Sequence, residues 1–185
     1  GGGAPARVYQ NAYSEVSAKV GNDSASDAAD WIGIMATRLN AQLLKAACGS
    51  LCQNDVVYNP TEDIDFKGKI LVAAGWKPGF STDTDAIFLA EQFGAKTVVN
   101  LSNIEQVYTD DPKKNPDAKP LDKISWKDFR KMVGDEWVPG KNCPFDPIAS
   151  KKAESADIDV ICAGGKDIAN IEKILNEQEF FGTKI

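Results

Sequence analysis

Apolar and polar positions along the chain follow two periods in alternation, helical and extended. After "GGGAPARVYQNAYSEVSAKV", a glycine loop running into a helix, "GNDSAS" predicts a polar loop. "DAADWIGIMATRLNAQLLKAA" then places Trp31, Ile34, Met35, Leu39 and Leu43 near helical spacing. "DVVY" predicts a short strand and "NPTEDIDF" a turn-rich connector. "GKILVAAG", "AKTVVNLSN" and "DIDVICAGG" are apolar runs without alternation, the pattern of strands buried on both faces. "SWKDFRKMV", "DPIASKKAESA" and "KDIANIEKILN" predict helices, the second with Asp146 as cap and Pro147 at its first position. "TDDPKKNPDAKP" and "VPGKNCPF" predict loops, and "GTKI" a terminal strand. Buried strands alternating with helices predict an α/β fold with a mostly parallel sheet covered on both faces.

The stretch "GWKPGFSTDTDAIFLAEQFGA" changes from loop to apolar-periodic helix at Ser81-Thr82-Asp83-Thr84-Asp85. Hydroxyl and carboxylate groups suit a helix N-cap and the positive end of the macrodipole, and Asp83 is the expected cap. A cap needs one such residue, and here several polar ones follow a glycine- and proline-containing loop. In parallel sheets ligands bind at the carboxyl ends of the strands, where loops enter helices. Four polar loops fall there: "GGG", "GWKPGFSTD", "LSNIEQVYTDDP" and the loop leading into "FDP". That convergence favours a ligand-facing turn, with Thr84 and Asp85 merely completing the first turn of the helix.

Composition narrows the chemistry. At 185 residues and 43% hydrophobic, the chain can bury a core as one domain. A net charge of −6 argues against nucleic-acid or membrane-surface partners, which call for a basic face. The apolar runs are too short to span a bilayer, no signal peptide is expected, and the expected setting is the cytoplasm. The chain has no histidine, which removes the commonest general base and the usual nucleophile triads. Chemistry must therefore run on carboxylates, lysines, arginines, backbone amides or a metal. Cys48, Cys52, Cys143 and Cys162 lack further ligands at zinc-site spacing and are expected to be reduced, structural thiols.

Gly1-Gly2-Gly3 at a helix entrance would let backbone N–H groups approach an anion, and the Arg7 guanidinium nearby suits phosphate oxygens. "GGGxxAR", "DWIGIMATRLNAQLL", "GWKPGFSTDTDA", "NLSNIEQVYTDDPKKNPDAKPL", "DPIASKKA" and the closing "GT" occur in the order seen in the UMP kinases of the amino-acid-kinase superfamily. The chain resembles the archaeal-type and related bacterial members over essentially its whole length, most specifically in "VYTDDPKKNPDAK". The resemblance implies a three-layer α-β-α sandwich and phosphoryl transfer from Mg-ATP to UMP, with Mg²⁺ as cofactor. It implies a single domain over 1–185 with its N-terminal part missing, 1–75 being mainly the UMP side and 76–185 mainly the ATP side.

Position by position, the resemblance puts Gly2 and Gly3 between the two substrates' phosphates, with Arg7 reaching the phosphate region. Asp30 matches the aspartate that binds the UMP ribose. Trp76, Lys77, Pro78, Gly79, Phe80, Ser81 and Thr82 match the UMP-contacting loop, Thr82 being the best-matched hydroxyl. Asp83 matches the aspartate that organises the reacting phosphates. Ser102, Asn103, Tyr108 and Asp111 match the ATP side. Lys141, after Gly140 in "VPGKNCP", is the candidate cation over the ATP phosphates. No resident metal ligand is expected. A homo-oligomer, commonly a hexamer, is implied, with the helix around Trp31–Leu44 near an interface.

The bare chemistry agrees, because phosphoryl transfer is mainly positioning and charge neutralisation. Departures from the family pattern are the absence of its opening strand and Gly-Gly-Ser-like loop, "SNIEQVY" in place of "TNVDGVY", and Trp76 where threonine is usual. Trp76 would stack on a base or fill the loop. Without the opening loop, the segment alone is expected to be poorly active. Alternatives are another kinase of the superfamily, or a non-catalytic relative that binds a ligand or stores an oxyanion.

Overall fold

The computed structural model describes residues 1–21, 25–136 and 143–185. It forms two compact units, Gly1–Phe88 and Leu89–Ile185, and the division falls within a helix.

The first unit opens with an antiparallel helix pair, α1 (Gly3–Val20) and α2 (Ala25–Cys48). Glycine at the crossing permits the close approach. A Cβ on Gly2 would stand 2.5 Å from Ala6 Cβ and 3.3 Å from the Gly33 oxygen, and one on Gly33 would stand 2.7 Å from Gln10 Nε2. Gln10 uses that amide to donate to the Ala29 carbonyl at 3.0 Å. Helix α1 stops at Gly21, whose left-handed φ of 67° only glycine adopts freely. Beyond α2 the chain passes a short 3₁₀ turn (Gly49–Leu51) into irregular extended segments.

"GKILVAAG" is extended but does not build the ladder expected of it. It makes only two isolated bridges, an antiparallel one from Gly68 to Cys52 and a parallel one from Ala73 to Val57, where Val57 donates to Val72 O and Ala74 donates to Val57 O, both at 2.9 Å. Its neighbour "DVVY" runs straight into the turn-rich connector, so too few consecutive backbone groups face each other to extend the pairing. Burial alternates along it: Val72 and Ala74 join Ala41, Cys52 and Val56 in the core of this unit, with Cys48 and Ile70 packed against them.

The second unit is built on a mixed sheet. Strand β1 (Thr97–Ser102) pairs in parallel with β4 (Asp159–Gly164), from Thr97 opposite Asp159 to Ser102 opposite Gly164. The terminal strand β5 (Thr183–Lys184) runs antiparallel along the other edge of β4. A separate hairpin joins β2 (Val107–Tyr108) to β3 (Pro120–Leu121). As the central strand, β4 is buried as its apolar run predicts; β1 is only partly covered, because it is the edge of this sheet.

The helices of this unit start where the sequence places them: α4 (Trp126–Val133), α5 (Pro147–Ser155) and α6 (Ile168–Leu175). Ser125, Asp146 and Asp167 cap them by accepting from Asp128, Ala149 and Asn170 N–H groups. The helix α3 (Thr82–Phe93) carries the division between the units. Arg130 on α4 pairs with Glu154 on α5 and with Asp135 at 2.7 Å.

The closing "GT" has a defined task. Gly182 lies so near β4 that a Cβ would stand 2.8 Å from the Cys162 oxygen. Thr183, fully buried, accepts from Val107 N–H at 2.8 Å and donates to the Leu121 carbonyl, and so fastens the β2–β3 hairpin.

Candidate functional site

In the first unit the loop "GWKPGFS" is fixed at its root. All four backbone polar groups of Gly75 and Trp76 are bound by side chains of α2 and α3. Thr37 Oγ1 accepts from Gly75 N–H at 2.8 Å while donating to the Ile34 carbonyl at 2.6 Å. The Arg38 guanidinium donates to the Trp76 carbonyl at 2.9 Å and to the Gly75 carbonyl at 3.4 Å. Asp85 Oδ2 accepts from Trp76 N–H at 3.1 Å. Only glycine fits at 75, since a Cβ there would stand 2.9 Å from Thr37 Oγ1.

The loop's other end is the start of α3. Ser81, not Asp83, is its cap: Ser81 Oγ accepts from Thr84 N–H at 3.2 Å, and the Ser81 carbonyl accepts from Asp85 N–H at 3.0 Å. Asp83 is already inside the first turn, near the positive end of the helix dipole. Thr84 and Asp85 are not simple first-turn residues either; both are buried, each 3% exposed. Burial of Asp85 raises its pKa from 3.8 to about 6; Trp76 N–H opposes that rise and the charge of Asp83 adds to it. Thr82 remains exposed and Asp83 half-buried.

Trp76 fills the loop. Its ring lies 4.6 Å from Phe80 and 6.2 Å, edge-on, from Phe88, and the Lys77 ammonium sits 4.0 Å over it. A cation on an aromatic face contributes about 0.5–1 kcal/mol at an exposed site. Pro78 is half-buried, Gly79 adopts φ 86°, and Lys77 and Phe80 are exposed.

Helix α2 brings the glycine triplet to the same place. Thr37 Cγ2 lies 3.6 Å from where a Gly2 Cβ would be, and Asn40 Nδ2 donates to the Gly1 carbonyl at 2.9 Å. Thr37 therefore borders the space a side chain at Gly2 would fill and, on its other side, binds Gly75. Asp30 stands on the same face of α2, two turns or about 10 Å before Thr37, and is exposed. Gly3 opens α1 with φ 60°, and Arg7, one turn on, is exposed.

The second unit carries the other set. Ser102 ends β1 beside Gly164 of β4, at the carboxyl end of the parallel pair. Its Oγ accepts from Ile104 N–H at 3.1 Å and its carbonyl from Gly165 N–H at 2.9 Å, so the turn into exposed Asn103 is fixed. Tyr108 is half-buried on β2 opposite Pro120. Asp111 is exposed and uses its carboxylate locally, accepting from Lys113 N–H at 3.0 Å and facing Lys114 at 3.8 Å. Next to it, Asp110 has a lowered pKa because Asn115 and the Asp111 N–H both donate to it. Lys141 lies outside the described residues.

Among the described residues, no three His, Cys, Asp or Glu side chains gather where they could hold a metal ion, and no helix is long and apolar enough to cross a membrane. None of the four cysteines is joined in a disulfide. A cleft of about 470 Å³ in the first unit is lined by Asp55, Glu62, Asp63 and Asp65 among others and holds none of the sequence-predicted site residues. Its acidic wall would repel a nucleotide's phosphates.

Residues 1–164 match the model of the amino acid kinase family. The chain belongs to that family. It is 38% identical to the uridylate kinase of Methanocorpusculum labreanum over 186 aligned positions, covering 99% of this chain and 77% of that protein. It is 36% identical to the uridylate kinase of Methanococcoides burtonii, covering 96% of this chain and 75% of that one. The crystal structure of uridylate kinase from Archaeoglobus fulgidus superposes with a TM-score of 0.82 at 32% identity, over 100% of this chain and 81% of the other. The α/β architecture expected from the strand and helix pattern is thus the amino acid kinase fold.

Three residues of this amino acid kinase's site escape a reading of the sequence: Thr37, Arg38 and Asp85. Their signal was faint. Thr37 and Arg38 interrupt the apolar face of α2, and Asp85 sits at the helical position after Thr84 where a core residue belongs. Only the fold shows that all three converge on one dipeptide.

Proposed function

We propose that the chain is a UMP kinase, transferring the γ-phosphoryl group of ATP to UMP to give UDP and ADP. The observation that carries this reading is the anchored loop of the first unit. Side chains from two helices fix its root, Gly2 lies near the same Thr37, and Thr82 and Asp83 open α3 at the loop's end, just after its cap Ser81. Such a loop positions an anionic acceptor without a general base, which suits an acceptor phosphate that is already ionised. The names of the similar proteins supply the acceptor, uridylate.

In this reading the acceptor nucleotide lies on Gly2, Asp30 and the loop Trp76–Thr82, with Asp30 on the ribose hydroxyls. Asp83 aligns the reacting phosphates, and Arg7 and Lys141 supply positive charge. Ser102, Asn103, Tyr108 and Asp111, with Gly3, serve ATP. Magnesium, arriving with ATP rather than held by a resident ligand set among the described residues, would supply charge neutralisation for the phosphates. Trp76 contributes shape to the loop rather than a free stacking face, because Phe80, Phe88 and Lys77 already cover its ring.

We also infer a homo-oligomer, a hexamer by family likeness, assembled through α2. Trp31, Met35, Leu39 and Leu43 recur every four residues and are exposed, Leu39 by 70% and Leu43 by 72%. An apolar stripe of that length is unusual on a lone surface helix. Calorimetric titration tests the function. Saturable binding of UMP and of Mg-ATP, with UMP phosphorylated faster than other acceptors in a substrate panel, is expected; no UMP binding would refute the reading.

A further inference from the structure

Asp85 is the one described residue whose buried side-chain oxygen, Oδ1, has no hydrogen-bond partner, while Oδ2 holds Trp76 N–H. Leaving a buried carboxylate half-satisfied is costly, and a small apolar side chain there would avoid that cost. The charged groups around it do not relieve it. Asp83, on the same helix, repels it. Arg38, on α2, is committed to the carbonyls of Gly75 and Trp76. Lys77, in the loop, lies over the rings of Trp76 and Phe80.

What the carboxylate gains is a single bond, and that bond closes the set that fixes Gly75–Trp76. We propose that Asp85 is a positioning residue: by holding Trp76 N–H it sets the path of the loop that receives the acceptor nucleotide, and so tightens acceptor binding without touching the acceptor. The proposal rests on the UMP-kinase reading for the identity of that acceptor. It follows that the ionised carboxylate, the stronger acceptor, gives the better-ordered loop. Acceptor affinity should then improve as Asp85 loses its proton.

The test uses two variants and two measurements. In ¹⁵N-labelled protein, Asp85→Ala should reduce hydrogen-exchange protection of the Trp76 amide at least tenfold, with the amides of β4 unchanged as a control for global unfolding. By calorimetry, the same variant should weaken UMP binding about tenfold and leave ATP binding within twofold. Asp85→Asn keeps a neutral, weaker acceptor for Trp76 N–H and should bind UMP about threefold more weakly than wild type at pH 7.5, much better than the Ala variant. At pH 5 the Asn variant and wild type should bind UMP equally. UMP's own phosphate titrates in this range, and taking the ratio of the two proteins cancels it.

Unchanged Trp76 protection in Asp85→Ala would overturn the anchor. Lost protection with unchanged UMP affinity would overturn the positioning role. If the Ala variant does not fold, a ratio of Asn variant to wild type that stays flat from pH 5 to 7.5 overturns the proposal by itself. No UMP binding by wild type would overturn the UMP-kinase reading and the positioning role with it, while the exchange result still decides whether Asp85 anchors Trp76.

Discussion

Replacing Asp85 with asparagine is expected to stabilise the protein at neutral pH, and the gain should disappear in acid. In the folded chain the Asp85 pKa is raised from 3.8 to about 6, chiefly by burial. Between those values the folded state holds a proton that the unfolded state has released, so stability falls as pH rises through the window. The shift of roughly 2 units corresponds to about 3 kcal/mol at 1.36 kcal/mol per unit. Solvent screening around the loop reduces this to about 2 kcal/mol.

Asparagine keeps the shape and an acceptor for Trp76 N–H but does not ionise. Urea denaturation of both proteins at pH 4, 5, 6 and 7 reads the difference directly. The asparagine variant should be about 2 kcal/mol more stable at pH 7, with the gap closing to about 0.5 kcal/mol at pH 4. A gap that is constant with pH, or one that widens toward acid, would refute the account of Asp85 as a carboxyl held against its preference. Together with the expected slight weakening of UMP binding, the result would place Asp85 among residues that trade stability for function.

Three further outcomes follow from the same geometry. Asp83→Asn should lower kcat for UMP phosphorylation at least 100-fold with KM for UMP within about threefold, whereas Asp30→Ala should mainly raise KM for UMP; equal changes in both parameters in either variant would reverse the assigned roles. Thr37→Val should cost about 1–3 kcal/mol in urea denaturation, because it strands the buried Gly75 N–H that Thr37 holds at 2.8 Å; an unchanged midpoint would show that the bond contributes nothing. Leu39→Glu with Leu43→Glu places two charges in the exposed stripe of α2 and should lower the mass measured by sedimentation; an unaltered mass would put the interface elsewhere.

Local physics made most of the second unit legible in the sequence. The apolar runs of β1 and β4, the Asp146-Pro147 start of α5 and the amphipathic α6 depend on neighbours a few residues away, and all are found where expected. Where the outcome depended on distant partners, the sequence was silent or misleading. "GKILVAAG" has the composition of a central strand, yet the number of backbone groups facing it decides whether it builds a ladder. The edge position of β1, and hence its partial exposure, is likewise set by strand order.

The candidate site divides along the same line. The pattern of strands and helices and the order of motifs by themselves determined the α/β class and the family likeness, composition ruled out histidine as a base, and the motifs singled out Thr82 and Asp83 as candidates. Tertiary structure decided which residue caps α3, what fills the loop, and what holds it. Ser81, Thr82, Asp83, Thr84 and Asp85 are all plausible helix-start residues by type. Burial divides them, turning Thr84 and Asp85 inward and leaving Thr82 outside. The reason is that a hydrogen bond between Asp85 and Trp76, or between Thr37 and Gly75, joins positions whose nearness is created by folding.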